Sequence, residues 1–172
     1  MAAPSTRATR AVHRDVAPLR TVGALGLLLC VPVVLVVTLW PTHFLLRLKP
    51  RVVRGLEWLH ARDLADWLTW TRLEVLANVA MFVPLALLLT FVLGARRWWI
   101  TVGLCVAVSL GVELAQHAMP GRIASARDIV TNGLGAVLGV SLAIPVEAIV
   151  RRTQRASLRQ ATQLASAAEA PR

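Results

Sequence analysis

The sequence predicts an all-α, polytopic membrane protein with four transmembrane helices and an interfacial amphipathic helix between helices 1 and 2. Four blocks of 20 or more residues are nearly free of charge: Thr21 to Trp40, Val75 to Gly94, Trp98 to His117 and Ile129 to Val150. At about 1.5 Å of rise per residue, each can cross about 30 Å of hydrocarbon as a helix. Of the 172 residues 56% are hydrophobic and only 16% charged, against about 25% in a soluble domain. The basic residues lie between and beyond the apolar blocks, as they do in membrane proteins.

Residues 1–20 form a polar tail with four arginines and two prolines. The first apolar block is too long for a signal-peptide core and no A-x-A site follows it, so it reads as a retained span. In the loop of residues 41–74, Trp58, Trp67 and Trp70 with Leu56, Leu59, Leu64 and Leu68 interleave with Arg54, Glu57, Arg62, Asp63 and Asp66. This pattern predicts an amphipathic helix lying in the membrane interface, where tryptophan is favoured. A lid packed on the other spans would carry a similar pattern. Only Ala95, Arg96 and Arg97 separate the second block from the third, which forces an antiparallel hairpin, and Ala118 to Asp128 joins the third to the fourth. The remainder, 151–172, opens with Arg151, Arg152, Arg155 and Arg159, turns Ala/Gln/Ser-rich and is expected to fray. The organisation is therefore a tail at 1–20, a membrane domain at 21–150 and a tail at 151–172.

The net charge is +10, and Lys49 is the only lysine among 19 basic residues. Because these residues do not share one surface, membrane lipids rather than nucleic acid are the expected partner. Four spans leave both termini on one side, which carries 11 basic residues against 8 on the other. The positive-inside rule then expects a multi-pass protein of the cell membrane with both termini cytoplasmic. Cys30 and Cys105 lie in different blocks without ligand spacing and are read as reduced packing residues.

The polar residues within the spans are few and grouped. Glu113 and Gln116 share a helix face that Ser109 extends, while Asp128 and Asn132 share another, continued by Gly135 and Gly139. The start of span two, the end of span three and the start of span four lie on one side of the membrane. Asn78, Glu113, Gln116, Arg122, Arg127, Asp128 and Asn132 are therefore expected to converge at the outward-facing end. A carboxylate within a span costs about 2.5–3.5 kcal/mol at the centre, so Glu113 needs a partner, and Arg122 and Arg127 are nearest in sequence. A structural ion pair clamping the helices competes with a ligand pocket as the reading of this group. Ser125-Ala-Arg-Asp128 fits a capping box. Gly135-x-x-x-Gly139 fits a helix-packing face, and Glu147 is spaced for an ion pair with Arg151. His117 lies four residues after Glu113 without a second half-site, so neither a metal nor another cofactor is expected.

Taken in order, Asn78-x-x-x-Phe82-x-Pro84, Glu113-x-x-Gln116, Arg122, Asp128, Asn132-x-x-Gly135 and Gly139 resemble the VanZ-like membrane proteins. The resemblance runs over about residues 35–145 and includes Leu39-Trp40-Pro41 at the exit of the first span. It implies a small multi-span protein of the bacterial cell envelope, in a family whose founding member is linked to antibiotic resistance against the glycopeptide teicoplanin. Where the family often has an acidic or polar residue just before Asp128, this chain has Arg127.

Three functions follow from these readings. The first is an envelope protein whose outward-facing polar pocket, built from Asn78, Glu113, Gln116, Arg122, Asp128 and Asn132, binds a lipid or cell-wall-related ligand. The alternative is an intramembrane enzyme acting on a lipid head group with Glu113 or Asp128 as general acid or base, although the sequence shows no nucleophile, metal set or phosphate loop. A transporter ranks last, because the first span has no ionisable residue and the cytoplasmic half offers only Glu147.

Overall fold

The computed structural model describes residues 17–39, 42–118 and 125–168, so Trp40, Pro41 and the predicted site residue Arg122 lie outside the described residues. The elements are α1 (Ala17–Leu39), α2 (Thr42–His60), α3 (Trp70–Leu93), a single 3-10 turn (Ala95–Arg97), α4 (Trp98–His117) and α5 (Ala126–Ala168). Helices α1, α3 and α4 and the stretch Ala126–Gln160 of α5 are long and apolar enough to cross a membrane. The protein is an all-helical, multi-pass membrane protein.

The third span has the expected bounds, whereas the others start earlier. Helix α3 begins at Trp70 because Thr69, in an extended conformation, caps it by accepting a hydrogen bond from the Arg72 backbone N–H at 3.3 Å. It ends at Gly94, whose φ of +88° suits glycine and whose N–H returns to the Thr90 carbonyl at 2.7 Å. The largest departure is at the other end of the chain. Instead of fraying after Val150, α5 continues to Ala168, since the run from Val146 contains neither glycine nor proline and is rich in alanine, glutamine and arginine.

The connection between the first two spans contains the expected amphipathic helix, α2, which covers only part of the loop. Helix α2 stops at His60, and Asp63 and Ala65 take positive φ values of 56° and 55° in the turn that follows. Trp58 is thus on α2, Trp67 in the turn and Trp70 on α3, so a pattern that looks continuous in sequence is divided among three elements. Among the described residues Trp58 and Trp67 are more than half exposed, as suits an interfacial segment, whereas Leu56 of α2 is buried.

In a bilayer, helices associate by close packing and polar contacts rather than by excluding water. The centre here is Phe82, Leu85, Ala86, Cys105, Ala136 and Val140, contributed by α3, α4 and α5. Helix α5 rides directly on α3 through Gly135 and Gly139. A Cβ at either position would collide with the carbonyl oxygen of Val79 or Val83 and come within 2.9 Å of the Cβ of Phe82 or Ala86. Both cysteines are free and Cys105 is buried, consistent with packing roles.

Candidate functional site

Helix α4 turns a row of residues at i, i+4 spacing inward: Thr101, Cys105, Ser109 and Glu113. Opposite Ser109, α5 supplies Asn132, whose Nδ2 donates to the Ser109 Oγ at 2.8 Å, with both residues buried. One turn outward, the Glu113 side chain accepts a hydrogen bond at Oε2 from the Ser125 backbone N–H at 2.7 Å. Ser125 immediately precedes α5, so this nearly buried carboxylate faces the positive end of the helix dipole and satisfies one of its unpaired amides.

Two expectations fail at this point. Arg127 does not pair with Glu113. In the first turn of α5 it faces α3, where its Nη2 lies 3.2 Å from the Glu74 Oε2, and its Nε is 3.9 Å from the Asp128 Oδ1. Nor does Asp128 close the capping box onto the Ser125 amide, because Glu113 takes that amide. Asp128 remains in the first turn of α5, where a negative charge complements the helix dipole.

The other predicted residues divide between two contacts. Asn78 donates to the Thr131 hydroxyl at 3.4 Å, and that hydroxyl donates to the Asp128 carbonyl at 3.1 Å. Gln116 turns away from this group and donates to the Thr38 carbonyl at 2.7 Å, tying α4 to the end of α1. Glu74, Thr131 and Thr38 were missing from the sequence reading. Glu74 lies four residues before Asn78 and so shares its helix face, a signal available in the sequence. The Thr38 contact uses a backbone carbonyl and leaves no such signal.

Asn132 Oδ1 is buried without a hydrogen-bond partner among the described residues, as are the Thr101 hydroxyl and the Gln154 amide oxygen. Such atoms are uncommon in folded proteins, and the one on Asn132 lies within the polar cluster. Inward of the Gln116–Thr38 contact, a half-open cavity of about 250 Å³ separates α1 from α4. Its walls are apolar, including Val31, Leu35, Leu85, Leu104 and Val108. Among the described residues no three His, Cys, Asp or Glu side chains are grouped to hold a metal ion.

The order of Asn78, Phe82, Glu113, Asn132, Gly135 and Gly139 thus corresponds to a set of buried or helix-joining positions. The VanZ/LLP1 family model matches residues 23–150. The chain belongs to the VanZ/LLP1 family. Membership associates it with membrane proteins linked to antibiotic resistance. Comparisons with curated proteins and with solved structures gave no significant match. The family match starts within α1, contains α3, α4 and both connections of the α3–α5 unit, and ends within α5 at the residue before Arg151.

The opposite end of the bundle has a second buried carboxylate, Glu147. Its Oε2 accepts from the Ala95 backbone N–H at 2.7 Å, and its Oε1 lies 2.6 Å from the Arg151 Nη2. The predicted pair with Arg151 is therefore present. The additional bond to Ala95 holds the 3-10 turn against α5.

Proposed function

We propose that this protein resides in the bacterial cell membrane with both termini cytoplasmic, and that its outward-facing polar cluster binds the head group of a lipid or lipid-linked cell-wall ligand. Through that ligand it would affect susceptibility to glycopeptides such as teicoplanin. The observation that carries the proposal is the buried, unpartnered Asn132 Oδ1 beside Ser109 and Glu113, an acceptor suited to a donor group on a ligand. The apolar cavity between α1 and α4 supports an amphiphile over a purely polar ligand. Native mass spectrometry of the gently solubilised protein tests this reading. A co-purifying lipid should be present in the wild type and lost from Asn132→Ala and Glu113→Gln, with both variants still folded and abundant. Equal lipid retention by all three proteins would refute it.

A further inference from the structure

Away from the polar cluster, the bond from the Ala95 amide to Glu147 presses the turn carrying Arg96 and Arg97 against α5. The face of α5 that meets this turn at Glu147 continues, at four-residue steps, through Arg151 and Arg155. Arg151 is occupied by Glu147. Arg96, Arg97 and Arg155 are exposed and have no ion-pair partner among the described residues. Among the described residues Glu147 is also the only acidic group at this end of the bundle, and Arg151 and the Ala95 amide occupy it, so the exposed arginines of the turn and of α5 have no local counter-charge.

We propose that the notch between the 95–97 turn and the projecting part of α5 binds the phosphodiester head group of an anionic phospholipid through Arg96, Arg97 and Arg155. Guanidinium groups match phosphate oxygens in geometry as well as charge. The notch is also at the right depth. The turn joins two spans, and Trp98 and Trp99 immediately after it are 50% and 63% exposed, as suits side chains at the membrane–water boundary. Along α5, Arg155 lies about 6 Å and Arg159 about 12 Å beyond Arg151, so Arg155 is the nearer of the two to the turn.

The full-length protein, extracted from vesicles of equal phosphatidylglycerol and phosphatidylcholine, can be examined by native mass spectrometry. The wild type should retain phosphatidylglycerol preferentially. That preference should fall about fivefold for each of Arg96→Gln, Arg97→Gln and Arg155→Gln, fall less in Arg155→Lys, which keeps the charge without the fork geometry, and persist in Arg159→Gln. Equal retention of the two lipids by the wild type would overturn the proposal, as would a preference surviving removal of all three arginines, or an equal loss in Arg159→Gln. Thermal unfolding checks that the variants are folded. If soluble glycerophosphoglycerol raised the unfolding temperature as much as the intact lipid, the notch would be a site for free phosphodiesters and the lipid assignment would fail. The lipid lost from Asn132→Ala and Glu113→Gln should still co-purify with the variant lacking all three arginines, which separates this site from the outward-facing pocket.

Discussion

Replacing Gly139 by alanine adds one methyl group where α5 crosses α3. The new Cβ would collide with the Val83 carbonyl oxygen and lie 2.9 Å from the Ala86 Cβ and 3.0 Å from the Leu87 backbone nitrogen. All three neighbours are backbone or Cβ atoms, so no change of rotamer relieves the overlap and the two helices must move apart. Overpacking of this kind costs about 1–3 kcal/mol, against which alanine regains about 0.4–1 kcal/mol by restricting the unfolded chain. The net loss, up to about 2.6 kcal/mol with a mid-range of about 1.3 kcal/mol, should lower the unfolding temperature by about 3–5 °C at mid-range for a chain of this size. Tryptophan fluorescence of the detergent-solubilised protein during heating measures it. Gly111→Ala is the control, because nothing lies within 4 Å of a Cβ at that position. Wild-type stability in Gly139→Ala, or an equal loss in Gly111→Ala, would refute the reasoning.

Glu113→Gln keeps an acceptor for the Ser125 amide and should cost about 0.3–1 kcal/mol through the lost charge at the helix terminus, whereas Glu113→Ala leaves that amide unpaired and should cost about 1–3 kcal/mol more. Similar unfolding temperatures for the two variants would remove the capping role. For Glu147→Gln and Arg151→Gln, a double-mutant cycle should give a coupling of at least about 0.5 kcal/mol, and strict additivity would contradict the 2.6 Å contact. Trp58 on α2 and Trp67 in the turn that follows, both exposed, should be quenched by brominated lipids in single-tryptophan variants; full water exposure without quenching would show that this segment stands clear of the interface. In intact cells an impermeant thiol reagent should label a cysteine introduced at position 60 but not one at 96, and the reverse result would invert the proposed orientation.

The spans were legible because hydrocarbon thickness imposes a minimum apolar length, and Trp98–His117 matches its expected bounds residue for residue. Local pairs such as Glu147 and Arg151 were equally legible, since four residues along a helix fixes their proximity. Glu113 was a different problem. Its partner among the described residues is a backbone amide, and whether the Ser125 N–H is available depends on where α5 begins, which sequence spacing does not determine. The direction of Arg127 depended in the same way on which face of α5 packs against α3, and the glycine contacts at Gly135 and Gly139 decide that. The extension of α5 to Ala168 was obscured by composition, because a polar alanine-rich run suits both a helix and a loose tail.

Glu113 and Glu147 form a reciprocal arrangement with a mechanical consequence. Near the end of α4, Glu113 grips the residue before α5, and near the far end of the α5 span, Glu147 grips the turn before α4. Each helix therefore fastens the entry of the other, and a one-turn slip between them would strip two largely buried carboxylates of their amide partners at once. The α4–α5 hairpin behaves as a strut of fixed register. Helix α1 packs on α3 at Gly23, where an added Cβ would lie 2.7 Å from the Leu88 carbonyl oxygen, and at Gly26 against the Leu88 side chain, and is joined to α4 at its other end by Gln116. Between those two points lies the half-open apolar cavity. The wall that α4 gives this cavity is therefore set by the same strut, since Leu104, Cys105 and Val108 lie between the two points at which α4 and α5 hold each other.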